Sequence, residues 1–169
     1  MGGFGAVARE THRAERALAP IDAEPAPGYN GLMRVLGLDL GKRRVGVAVS
    51  DPDGTIARPL MQFRVERRDD ILRTVQRLVA EQEAGRVVVG LPLHADGTGG
   101  EQARWTEGLV AALAEALEAP VETWDERFST EEAEAILDRS APRGRDRKGR
   151  RDMVAAAVIL QDYLDAQAG

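Results

Sequence analysis

The chain has 169 residues, 43% of them hydrophobic and 30% charged, with a formal net charge of -5. That length builds one domain with a real core, and the acidic balance excludes a protein coated in positive potential but not a local basic patch. The absence of cysteine excludes disulfides, zinc–thiolate sites and thiol nucleophiles, and no apolar run approaches the roughly 20 residues of a membrane span.

Residues 1–32 read as a flexible N-terminal extension. They are rich in Gly, Ala and Pro, and Pro20, Pro25, Pro27 and Gly28 break any continuous element. They lack the apolar core of a signal peptide, so the expected location is the cytoplasm. Residues 33–169 form the expected folded domain. Its first strand, 35–38, is short and apolar. Gly41 marks a tight turn. In 44–50, Val45, Val47 and Val49 alternate with Gly46, Ala48 and Ser50, the period of a second strand running back along the first. Asp51-Pro52-Asp53-Gly54 is a turn signal. A third strand, 55–63, carries Pro59 and therefore belongs at a sheet edge, since proline cannot donate to the ladder.

Helical spacing of Ile71, Leu72, Val75, Leu78 and Val79 predicts a helix over 69–83, capped by Asp69 or Asp70 and ended by Gly85. The three valines of 86–90 predict a central parallel strand buried on both faces. A glycine-rich loop with Pro92 and His94 leads into a helix over 101–117. Pro120 precedes a fifth strand, 121–124. Ser129 and Glu132 fit a capping box for a helix reaching Leu137. A last helix spans 151–167. The order predicts a mixed five-stranded α/β sheet with strand order 3-2-1-4-5, strand 2 antiparallel, and helices on both faces.

Functional groups in such sheets gather at the C-terminal ends of parallel strands. Asp39 stands where strand 1 runs out, and Asp125 and Glu126 stand where strand 5 does. Asp39 has two readings, a cap on the hairpin turn or a carboxylate that needs a cation. Asp152 shares a helix face with Ala155, Ala156, Ile159 and Tyr163. It either complements the helix dipole from the first turn or is delivered to the other acids. Clustered carboxylates repel, and oxygen ligands around Mg²⁺ or Mn²⁺ resolve the conflict. Such ions, one or two of them, activate water for phosphodiester attack.

Charge is distributed unevenly. From 101 to 138 the only cations are Arg104 and Arg127. From 139 to 151 the chain reverses, with Arg139, Arg143, Arg145, Arg147, Lys148, Arg150 and Arg151 against Asp146 alone. That segment suits a nucleic-acid backbone. Arg44 and Arg127 either form structural salt bridges or steady a scissile phosphate. His94 reads as an exposed loop residue. Trp105 and Trp124 read as packing residues, with base stacking as the alternative for Trp124.

Four stretches in order resemble the YqgF/RuvX family of pre-16S rRNA nucleases, also described as Holliday-junction-resolvase-like. They are residues 37–51, Val88-Val89-Gly90-Leu91-Pro92 with Gly97, residues 125–133, and Lys148 with Asp152, Ala155-Ala156 and residues 159–164. The resemblance implies a ribonuclease-H-like fold and a nuclease using Mg²⁺ or Mn²⁺. It implies maturation of the 5′ end of 16S rRNA, with Asp39, Glu126 and Asp152 as catalytic acids and Asp125 in support. Pre-16S rRNA is then the expected partner and branched DNA the alternative, for a monomer or homodimer. A binding protein without catalysis is the rival of another class. An ATP-handling phosphotransferase opens with a similar Asp-Leu-Gly hairpin but needs a second domain.

Overall fold

The computed structural model describes residues 33–128, 135, 139 and 147–169. The extension 1–32 and the helix expected over 129–137 therefore lie outside the described residues, apart from Ala135. Five strands form one sheet: β1 (Arg34–Leu40), β2 (Arg44–Ser50), β3 (Ala57–Arg64), β4 (Ala84–Leu91) and β5 (Val121–Asp125), ordered β3-β2-β1-β4-β5. β2 is antiparallel to both β1 and β3, while β1, β4 and β5 run parallel. The expected topology is the one found.

Helices α1 (Arg68–Glu81) and α2 (Glu101–Ala116) cover one face of the sheet, and α3 (Arg147–Ala168) covers the other. Strand alternation sorts the side chains between them. Leu36, Leu38, Val45, Val47, Val87 and Val89 join the core under α1 and α2. Val35, Ala48 and Val88 join Ala156, Leu160 and Tyr163 under α3. The three valines of β4 are thus split between both layers, as a central strand requires. Trp105 packs against the larger core. Among the described residues no helix is long and apolar enough to cross a membrane.

Four local expectations need correction. β3 starts at Ala57, not at Thr55. The Asp51 carboxylate accepts the N–H groups of Thr55 and Ile56 at 2.7 and 3.0 Å, which keeps both out of the ladder. α1 begins after Arg67, and Asp70 works from inside the first turn by accepting the Arg67 N–H at 2.7 Å. Gly85 does not end α1. Glu83 takes the left-handed conformation (φ 52°), and Gly85 lies in β4, where Met33 packs on it. Finally, α3 begins at Arg147, so Arg147, Lys148 and Arg150 occupy its first turns.

α3 is held at its C-terminal half by two polar attachments. Gln161 accepts the Ala57 N–H at 2.8 Å and donates to the Thr55 carbonyl at 3.0 Å. Tyr163 accepts from Arg86 at 3.0 Å and donates to Glu122 at 2.9 Å, and Arg86 and Glu122 themselves form an ion pair.

Candidate active site

The hairpin at the head of the chain sets the site. Its turn is closed by the Gly41 N–H, which donates to the Arg44 carbonyl at 2.9 Å. Asp39 has the same strand parity as Val35 and Gly37 and so faces α3. Its cross-strand partner is Gly46, and directly paired residues present their side chains to the same face. A Cβ at Gly46 would run into the Asp152 carbonyl. Having no side chain there lets the α3 backbone settle on the sheet at the level of Asp39. Asp152 is the sixth residue of α3, and no acid stands in the first turn. The helix-dipole reading of Asp152 therefore fails, because the helix starts a turn earlier than its apolar pattern suggests.

Glu126 arrives from the other side. Beyond β5 the chain tightens into a single 3₁₀ turn, Glu126–Phe128. The space above Gly90, in the neighbouring strand to Asp39, is filled by Glu126 Oε1 at 2.6 Å and Ile159 Cδ1 at 2.5 Å from where a Cβ would stand. Two glycines flanking Asp39 thus admit an acid from each side. The sequence places Gly46 and Gly90 in strands and in the motifs of the resemblance, without assigning either a role in the site. The usable signal was their parity, which matches that of Asp39.

The electrostatics follow from this crowding. Burial, and then the charge of Asp152, push the Asp39 carboxyl up to about 6. Burial, and then the charges of Asp39 and Asp125, push Glu126 up to about 7. Asp125 behaves differently, although it adjoins Glu126. It points away from the α3 face and is 1% exposed. Burial is the largest influence on it and opposes ionisation, yet the hydrogen bonds of Arg127 outweigh it and hold Asp125 below the usual carboxylate range. Arg127 donates its backbone N–H to Oδ1 at 2.9 Å and its guanidinium to Oδ2 at 2.5 and 2.8 Å.

Arg127 also donates to the Ala95 carbonyl at 3.2 Å and packs on Gly97. It joins the end of β5 to the glycine-rich loop, which closes through His94 N–H to Thr98 O and Gly97 N–H to His94 O, both at 2.8 Å. Of the two readings for Arg127, the salt bridge is realised. His94 is exposed, as expected. Arg127→Ala should lower stability at neutral pH, measured by urea unfolding. Because the folded Asp125 carboxyl is depressed, the loss should be complete above about pH 4 and shrink as pH falls below it.

Arg44 opens β2 and is half-buried, Arg150 is half-buried and Arg151 exposed. Arg147 and Lys148 have helical backbone, while Arg143 and Arg145 lie outside the described residues. Among the described residues no group of three or more His, Asp or Glu side chains is close enough to hold a metal ion.

Comparison with known proteins bears on this geometry. The family model described as "RuvX: Holliday junction resolvase" matches residues 33–166. The chain belongs to the RuvX family. Relatives include a protein of Anaeromyxobacter sp. (strain Fw109-5) named "Putative pre-16S rRNA nuclease", 45% identical over 135 residues, which cover 80% of this chain and 98% of that one. A protein of Chloroflexus aggregans with the same name is 45% identical over 133 residues, or 79% of this chain and 94% of the relative. The RuvX-family fold extends to Thermus thermophilus RuvC, which superposes with a TM-score of 0.54 over 81% of this chain and 97% of that one. Identity there is 22%, so the likeness shows the fold alone.

Proposed function

We propose that this protein is a divalent-cation-dependent nuclease that processes the 5′ end of pre-16S rRNA in the cytoplasm. The observation that carries the reading is pairwise: Asp39 is coupled to Asp152 on one side and to Glu126 on the other, at the α3 face. There, burial and mutual repulsion lift two carboxyls well above their ordinary values. Such an arrangement costs stability, and a hard divalent cation offsets that cost. The donors are all carboxylate oxygens, which suits Mg²⁺ or Mn²⁺. The name shared by relatives 45% identical to this chain supports the substrate.

In this reading Asp39, Glu126 and Asp152 hold the cation. When bound, it supplies a Lewis acid for the phosphate and lowers the pKa of water. Asp125 holds Arg127, and through it the glycine-rich loop beside the site. Arg44, Arg143, Arg145, Arg147, Lys148, Arg150 and Arg151 hold the nucleic-acid backbone, an affinity that falls with salt.

Cation uptake requires Asp39 and Glu126 to lose their protons. Affinity for Mn²⁺ should therefore rise with pH through about 6 to 7 and level off near pH 8. Calorimetric titration at pH 5.5, 6.5 and 8 checks this, and Glu126→Gln should flatten the profile.

The functional test is cleavage of end-labelled RNA carrying the 16S 5′ precursor, beside a DNA four-way junction, with Mg²⁺ or Mn²⁺. RNA cleavage that needs the metal supports the proposal. The family description favours one second reading, junction resolution. Symmetric nicking of the junction alone would replace rRNA processing with it. Binding of both without cleavage would leave a nucleic-acid-binding protein.

A further inference from the structure

Register places five residues in one lateral row on the α3 face. Gln62 pairs with Gly46, and Gly46 with Asp39. Leu38 pairs with Val89, which sets Asp39 level with Gly90, and Gly90 pairs with Trp124. Asp39 is the centre of the row, with a glycine on each side. Trp124 lies two strands from it, roughly 10 Å at ordinary strand spacing. Glu126 fills the space above the intervening Gly90. The Trp124 residue therefore stands just beyond the acids, at the same level and with its side chain on the same face.

The ring is built into a rigid frame. It meets Tyr163 edge to face, with centroids 5.5 Å apart and planes at 88°. Tyr163 is 2% exposed and locked by its hydrogen bonds to Arg86 and Glu122. One flank of Trp124 packs on the apolar cluster under α3, but the residue stays half-buried, and β5 is the sheet edge among the described residues. A plug for that cluster would be satisfied by any apolar side chain. A fixed, partly exposed aromatic one strand beyond Glu126 also suits a flat ligand. Every nucleobase has a π-face, so stacking of this kind tolerates sequence but demands an unpaired base.

We propose that Trp124 is a base-stacking subsite that receives one unpaired nucleobase flanking the scissile phosphate. The inference rests on the nuclease reading above and deepens it. It makes the substrate single-stranded next to the cut and adds a residue that selects for that state. Duplex lacks a free base for the ring and binds less well.

The chain has two tryptophans, so Trp105→Phe leaves Trp124 as the sole indole reporter. That variant is titrated with a 12-nucleotide single-stranded RNA in chelator, so that the RNA stays intact, while anisotropy reports binding independently. Saturable quenching of Trp124 is expected, lost when an abasic nucleotide is walked to one position. In the wild-type background Trp124→Leu should weaken binding about 10-fold, and Trp124→Phe should stay within about 3-fold of wild type. Binding by anisotropy without quenching, or quenching indifferent to every abasic position, would overturn the subsite. If the same protein then cuts RNA with Mg²⁺, the nuclease reading survives and only the subsite falls. RNA that neither binds nor is cut overturns both.

Discussion

Asp39→Asn should reduce cleavage by at least about 100-fold while making the metal-free protein more stable. The two effects share a cause. Asp39 faces α3 at the level where Gly46 admits Asp152, and burial and the Asp152 charge raise its carboxyl to about 6. An acid whose folded pKa is raised destabilises the fold once it ionises. The cost begins as pH rises past the unfolded value near 4 and is complete above the folded value near 6. At pH 8 the neutral amide removes that cost. The expected gain is about 2 kcal/mol, or roughly 5 °C in Tm, and it should vanish near pH 4. Mn²⁺ should raise the Tm of wild type but not of the variant. Thermal unfolding at pH 4 and pH 8, with and without Mn²⁺, beside the cleavage assay, decides it. A variant that cuts normally would remove Asp39 from the machinery. One less stable than wild type at pH 8 would show that its charge is satisfied in the fold.

Gly46→Ala should be the most damaging of the glycine-to-alanine changes among the described residues. The added carbon has no free space, because the Asp152 backbone already occupies it. Backbone cannot swing aside as a long side chain does, so the N-terminal half of α3 must lift from β2. The expected cost is about 3 kcal/mol, at the upper end for overpacking. Asp152 moves with the helix, and a displacement of about 1 Å at reacting groups costs on the order of 100-fold in rate. Gly108→Ala is the control. A Cβ there meets nothing nearer than an Arg68 guanidinium nitrogen at 3.7 Å. Gly108 lies inside α2, so alanine should stabilise by about 0.5–1 kcal/mol. Urea unfolding of the two variants, with activity measured at matched folded fraction, separates overpacking from a general intolerance of alanine.

Much of the fold was legible because its signals are local. The alternation in β2, the valine run in β4 and the helical spacing in α1 each arise within a single element. Pro59 carried the edge position of β3 for the same reason, its missing N–H. The misses were non-local or lay at boundaries. The strand expected from Thr55 lost two residues to a side chain four positions upstream, Asp51. The expectation that Gly85 would end α1 overlooked that Glu83 adopts the left-handed conformation itself. α3 begins a turn early in a run of charged residues, where no apolar period marks the start.

For the site, the sequence by itself determined the inventory and the end of the sheet. Asp39, Asp125 and Glu126 had to stand where parallel strands finish, because hydrophobic runs stop there and the chain must turn. Only the tertiary structure decided which acids lie close enough to shift one another's ionisation. Asp125 and Glu126 are consecutive, yet Asp125 turns to Arg127 and is held ionised, while Glu126 folds over Gly90 toward Asp39 and resists ionisation. Strand alternation states that neighbours face opposite ways but not which layer covers each face. Charge coupling depends on distance and burial, and both were set when α3 closed onto the glycines of β2 and β4.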